Sequence, residues 1–92
     1  MLEKVRLALR IKNTASDDDL NDLILACKKE LKTAGVEVLN ESDALIIQAV
    51  KLYCKGQLDF EGKGDRYIDA YEKLKISLAL SGDYNERGET NA

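Results

Sequence analysis

The side chains that could act as nucleophiles are four serines and two cysteines, and the sequence has no histidine to activate any of them. Catalysis with an imidazole base and metal binding through histidine are therefore excluded. Ser16 and Ser42 precede helical patterns and are expected to be helix caps. Carboxylates are numerous, but no pattern places two of them in an apolar cleft. The sequence predicts a protein that is not an enzyme.

The two cysteines, Cys27 and Cys54, stand within helical patterns among apolar neighbours. Free cysteine in such a setting behaves as a small apolar side chain. No Cys-x-x-Cys spacing supports redox chemistry, and no export signal is recognisable, so reduced thiols are the default. We expect two buried structural thiols, with a disulfide or a redox role as the alternative.

An acidic cluster could in principle bind a cation, and it consists of Asp17, Asp18, Asp19 and Asp22. A calcium loop beginning at Asp17 would need glycine at position six and glutamate at position twelve, but Lys28 stands at twelve. A loop beginning at Asp59 fails as well, because Ala70 stands at its twelfth position. We interpret the cluster as the first turn of a helix, where the helix dipole stabilises negatively charged side chains. No metal and no cofactor are expected.

The segment Gly56–Gly64 contains three glycines and a lysine and resembles a phosphate-binding loop at first sight. That motif needs four residues between its glycines and Ser or Thr after the lysine. Here five residues intervene between Gly56 and Gly62, glycine follows Lys63, and the segment leaves a helix rather than a strand. We interpret it as a flexible loop between helices, with glycines supplying positive φ angles.

Four helical patterns surround these residues. The first covers about residues 2–11, and the second begins after Ser16 and ends at Gly35, a typical stop residue. The third is capped by Ser42 and is apolar on almost every side up to Lys55, which is typical of a buried helix. The fourth begins at Asp65 and ends in the segment 81–83. Residues 36–40 form an extended connector or a short strand.

These patterns predict an all-α fold, a small four-helix bundle around a central apolar third helix. Residues 1–84 form the single helical domain, and residues 85–92 form a polar, flexible tail. Small domains without disulfides or metals often gain stability by association. The bundle is therefore expected to oligomerise.

Composition narrows the classes of function for the 92 residues. Apolar residues make up 45% and charged residues 34%, which argues against intrinsic disorder. The net charge of −3 argues against a basic nucleic-acid binder. No apolar run is long enough to span a membrane.

The order of segments resembles the small head–tail connector proteins of tailed bacteriophages and prophages, also called a DNA-packaging family. The resemblance covers about residues 1–84 and rests on the segments MLEKVRLALRI, SDDDLNDLILACKKEL, DALIIQAVKLYCKGQLDF and DRYIDAYEKLKISLALSGDY. Its most specific part is the run from Tyr71 to Tyr84. The loop 56–64 lacks a strong signature of the family, and the acidic tail after Tyr84 is not part of the resemblance.

The resemblance implies a structural, non-enzymatic protein whose copies form a ring, roughly twelvefold, beneath the portal protein. The ring would extend the DNA channel without sequence-specific binding and would carry the next neck or tail component. It would be located in the virion neck after assembly in the host cytoplasm. Mild negative charge suits such a channel, because a basic lumen would hold the phosphates. The alternative is a small helical adaptor or regulator that binds a partner helix through the third helix.

Candidate contact residues follow from this interpretation. The face of the first helix with Leu2, Val5 and Leu9 could pack on a neighbouring copy or on the bundle. The loop around Phe60 could line the channel or dock the next component, and the tail from Tyr84 could become ordered on the portal. The candidate interface residues are Leu2, Val5, Leu9, Phe60, Tyr67, Tyr71 and Tyr84.

Overall fold

The computed structural model describes residues 1–85, and within them the chain forms α-helices and no β-strand. The elements are α1 (Leu2–Ala8), α2 (Asp17–Ala34), α3 (Ala44–Gln57), a 3₁₀ turn (Phe60–Gly62) and α4 (Gly64–Leu80). The predicted all-α fold with four helices is confirmed.

The third helix is the centre of the bundle, because α3 packs against α1, α2 and α4. The helices α1 and α4 each pack on both α2 and α3, but within the described chain they make no extensive contact with each other. They therefore lie diagonally opposite each other across the α2–α3 pair. The buried residues of α3 are Ile46, Ile47, Ala49, Val50, Tyr53 and Cys54.

Two helices end in the same left-handed turn. The helix α1 ends at Ala8, three residues before the predicted end, because Arg10 has a φ of 60° and reverses the chain. The Ile11 N–H then donates to the carbonyl of Arg6 at 2.9 Å, the pattern of a Schellman turn. The helix α2 ends in the same way, with Gly35 at a φ of 107°. The predicted stop at Gly35 is confirmed.

The N-terminal caps differ from the sequence prediction. Ser16 precedes α2, but its side chain makes no capping hydrogen bond, because its φ and ψ of −102° and 11° are not the extended angles that capping needs. The cap of α3 is Asp43 and not Ser42, since the Asp43 carboxylate accepts the Leu45 N–H at 2.8 Å. The helix α4 begins one residue before Asp65.

The core of the bundle is apolar, and no polar or charged residue of the described chain is buried in it. Both cysteines are buried and free, as their apolar surroundings predicted. The largest fully buried side chains are Tyr71, Leu20, Leu31, Ile46, Val5, Val36, Val50, Cys27 and Cys54.

Candidate functional site

The loop between α3 and α4 gathers an aromatic and cationic cluster, the Phe60 cluster, made of Arg10, Lys55, Phe60 and Tyr67. The Lys55 ammonium lies 5.3 Å from the ring centroids of both Phe60 and Tyr67. The Arg10 guanidinium lies 5.7 Å from the Phe60 ring, and the two rings are 6.2 Å apart. These distances fit cation–π contact. Phe60 is thus presented half-buried between two cations.

The same loop forms a packed 3₁₀ turn, in which Gly62 supplies a positive φ angle as the sequence predicted and two other residues do so as well. Asp59 and Glu61 adopt positive φ angles of 49° and 55°, as does Gly62 at 70°. The Asp59 carboxylate accepts the Gly64 N–H at 2.8 Å. Left-handed angles at residues other than glycine cost about 1–3 kcal/mol each and often occur at functional sites. The surrounding contacts therefore hold Phe60 in a defined position.

An ion pair joins this loop to the end of α1. The Arg10 Nη1 atom donates to Glu61 Oε2 at 3.1 Å, and both side chains are exposed. Two residues with left-handed backbone therefore contact each other through their side chains. A second ion pair, between Arg6 Nε and Asp17 Oδ1 at 3.2 Å, joins α1 to the start of α2, and these two atoms make no hydrogen bond within the described residues.

Tyr71 belongs to the core between α2, α3 and α4. Its hydroxyl donates to Glu30 Oε1 at 3.2 Å and accepts from the Cys27 thiol at 3.8 Å. Its ring packs edge-to-face on Tyr53, with centroids 5.1 Å apart. Burial raises the pKa of the Cys27 thiol to about 12 and raises the pKa of the Tyr71 phenol. Both groups are therefore neutral and unreactive near pH 7.

Just after the C-terminal end of α4, away from the Phe60 cluster, Tyr84 contacts the start of α3. We call this contact the Tyr84 clasp. The Tyr84 hydroxyl donates to Asp43 Oδ2 at 2.8 Å. The Tyr84 carbonyl accepts the Glu37 N–H at 2.8 Å, which fixes the connector between α2 and α3. The Tyr84 hydrogen bond is the main reason why the pKa of Asp43 lies below its usual value.

Three of the predicted contact residues lie in the core of the chain: Val5, Leu9 and Tyr71. This face of the first helix was expected to pack either on a neighbouring copy or on the bundle. At Val5 and Leu9 it packs on the bundle. The remaining residues are half-buried: Leu2, Phe60, Tyr67 and Tyr84. Of the seven, the structure brings Phe60 and Tyr67 together in one surface cluster.

Several exposed apolar side chains were missed by the sequence reasoning: Leu7, Leu25, Leu45, Leu58, Ile76 and Leu80. The highest exposures are 82% for Leu80 and 71% for Leu7. The sequence did indicate the exposure of Leu7. It stands two positions from both Val5 and Leu9, about 200° around the helix from each, and therefore on the side of α1 that faces away from these two core residues. Apolar side chains grouped at the surface often mark contact sites.

Residues 86–92 of the predicted tail lie outside the described residues, and Asn85 is the last residue that the structure describes. Within residues 1–85, no group of three or more acidic or thiol side chains could hold a metal ion. Over the same range, the helices are too short or too polar to cross a membrane.

The comparison with protein families finds a match over most of the chain. The family model described as phage connector protein matches residues 1–85, which is all of the chain that the structure describes. No significant match to a curated protein or to a solved structure was found. The match agrees with the resemblance that the helical segments carry, above all the run of α4 into Tyr84. The chain therefore belongs to the phage connector protein family and has a structural role of the head–tail connector type.

Proposed function

We propose that this protein is a neck subunit whose copies form a ring beneath the portal, extend the DNA channel and carry the next neck or tail component. The observation that carries the proposal is the connector-family match over residues 1–85. In this proposal the ring assembles in the host cytoplasm and remains in the virion neck.

The positions of the Phe60 cluster and of the Tyr84 clasp, which anchors the start of the tail, support a joining role. The Phe60 cluster lies at the start of α4, and the Tyr84 clasp lies just beyond its end. The helix has 17 residues, so the two features are separated by about 25 Å along its axis. A subunit that joins two structures needs two such separate contact regions. We assign the tail beyond Tyr84 to the portal and the Phe60 cluster to the next component.

The charges favour docking over DNA contact for the Phe60 cluster. A loop lining the channel with Arg10 and Lys55 would attract phosphates and slow the DNA. Docked against a protein, the same half-buried aromatic side chain and its cations would contribute buried area and polar contacts. The net charge of −3 suits a channel that does not hold DNA.

The alternative function, an adaptor that binds a partner helix through the third helix, is not favoured by any observation. Six residues of α3 are buried within the chain, and α1, α2 and α4 all pack on this helix. A partner helix would have to displace one of them.

The experiment is to mix the chain with the portal protein of the same phage and to measure association by sedimentation velocity. The wild-type chain is expected to co-sediment with the portal. Deletion of residues 86–92 should preserve the helical circular dichroism spectrum but weaken this association. The variant Phe60→Ala is the matched control, because it alters the other end of α4 and should bind the portal normally.

Absence of association between the wild-type chain and the portal would contradict the proposed function. Association that is unchanged by the deletion would contradict the role of the tail alone. Loss of portal binding in Phe60→Ala, with a preserved helical spectrum, would reverse the assignment of the two ends.

A further inference from the structure

We propose that neighbouring copies contact each other through two unlike surfaces, one on α1 and one on α4, and this inference rests on the proposed ring. The α1 surface is a shallow groove lined by Glu3, Arg6, Leu7, Arg10, Ile11 and Lys12. The α4 surface is the outward face formed by Asp65, Asp69, Glu72, Lys73, Ile76 and Leu80.

Each surface presents apolar side chains that the single chain leaves in water. Leu7 is 71% exposed in the α1 groove, beside the half-buried Ile11. On α4, Ile76 is 56% exposed and Leu80 is 82% exposed. Ile76 and Leu80 stand four positions apart and therefore lie on one face of the helix. Covering these side chains against each other would remove apolar area from water on both copies.

The two surfaces belong to two helices that make no extensive contact with each other within the described chain. The helices α1 and α4 both pack on α2 and α3 and are diagonally placed across that pair. Contact between two unlike surfaces of a subunit is heterologous, and it closes into a ring when the rotation between copies permits. A contact of one surface with itself would instead give a two-fold dimer.

The charges of the two surfaces are complementary. The residues lining the α1 groove include three cations and one carboxylate, and Arg6 among them pairs with Asp17. The α4 surface carries three carboxylates and one ammonium, with Asp69 paired to Lys73 and Glu72 paired to Lys75 within the chain. Surface ion pairs contribute little to stability, so these carboxylates can exchange partners when another copy docks.

Arg10 already pairs with Glu61 within the chain, but a guanidinium has five N–H donors, so further donors remain for a second carboxylate. In a chain with a net charge of −3, a basic groove fits an acidic face of another copy.

The test uses three variants with the same substitution: Leu7→Gln in the α1 surface, Leu80→Gln in the α4 surface, and Leu25→Gln as the control. Leu25 is 58% exposed on α2 and belongs to neither surface. All three side chains are exposed and glutamine suits a helix, so folding should be preserved. Native mass is measured for each variant alone, on the portal, and for an equal mixture of Leu7→Gln with Leu80→Gln.

We expect Leu7→Gln and Leu80→Gln each to weaken the contact between copies by about tenfold or more, while Leu25→Gln assembles as the wild type does. The mixture should form one-to-one complexes. Leu80→Gln keeps an intact α1 surface and Leu7→Gln keeps an intact α4 surface, so these two surfaces can still bind each other.

A wild-type ring that persists in both surface variants would overturn this inference and leave the proposed function standing. A ring lost equally in all three variants would overturn it too. A wild-type chain that stays monomeric alone and on the portal would overturn the proposed function, and this inference with it.

Discussion

At the scale of single residues, the loop that presents Phe60 depends on a position where no side chain fits. A Cβ atom at Gly64 would lie 2.7 Å from Asp59 Oδ1 and 3.0 Å from the Gly56 carbonyl. The absence of a side chain lets the Asp59 carboxylate reach the backbone N–H of Gly64 and close the turn. The three glycines were visible in the sequence, but this contact depends on how closely α3 and α4 approach.

We predict that Gly64→Ala destabilises the fold by about 1–3 kcal/mol, because the added methyl group must displace the Asp59 side chain or the α3 backbone. The matched control is Gly82→Ala, where an added Cβ would meet nothing within 4 Å. The control should be unchanged or slightly more stable. Urea unfolding followed by circular dichroism measures both, and equal stability of the two variants would contradict the packed turn.

The two thiols are the residues whose environment was best predicted from the sequence. Cys27 and Cys54 are fully buried, and burial raises their pKa values to about 12 and about 11. Each stands among apolar residues at helical spacing, and this local pattern is sufficient to predict burial. The bond between the Cys27 thiol and Tyr71 could not be predicted, because 44 residues separate them.

We predict that a thiol reagent modifies neither cysteine of the native chain at about pH 8, since the reactive thiolate is scarce and buried. The control is Ser77→Cys, at an exposed position of α4, which should react more than about a hundredfold faster than the native thiols. Mass spectrometry would then count one label in the control and none in the wild type. Rapid labelling of the wild-type chain would contradict the buried thiols.

At the scale of elements, the start of α3 is fixed by a residue from the far end of the domain. The Asp43 carboxylate caps α3 through the Leu45 N–H and accepts the Tyr84 hydroxyl. Sequence reasoning placed the cap one residue early, at Ser42, because serine and aspartate are both good caps. The hydrogen bond from Tyr84 comes from a residue 41 positions away, which a local pattern cannot reveal.

The Tyr84 clasp predicts a change in acid titration. The folded pKa of Asp43 lies below its ordinary value of 3.8. The carboxylate therefore stabilises the fold above about pH 3.8, and this contribution is lost as the pH falls through the folded pKa. Tyr84→Phe removes the donor, so it should raise the pKa of Asp43 and lower stability more at pH 7 than at pH 2.

Carboxyl chemical shifts measured by NMR across an acid titration report the pKa of Asp43 in each variant. Tyr67→Phe is the control, because it removes a hydroxyl from the opposite end of α4 and should leave the titration of Asp43 unchanged. The same pKa for Asp43 in the wild type and in Tyr84→Phe would show that the clasp does not hold in solution.

At the scale of the whole molecule, the helix order and the central position of α3 were predictable from apolar periodicity, and Gly35 marked the end of α2. The relative placement of the helices was not predictable, since it depends on tertiary packing. The sequence therefore did not reveal that Leu7 and Leu80 are exposed on diagonally opposed helices. It also grouped Val5, Leu9 and Tyr71 with the contact residues, although the core of the single chain covers them.

Copies of this connector-family chain are proposed to assemble into a closed ring. The most direct measurement is native mass by light scattering, over concentrations from micromolar to near millimolar, alone and with the portal protein. We expect a closed species of roughly ten or more copies, formed alone or on the portal. A stable dimer at every concentration, with no larger species on the portal, would contradict it.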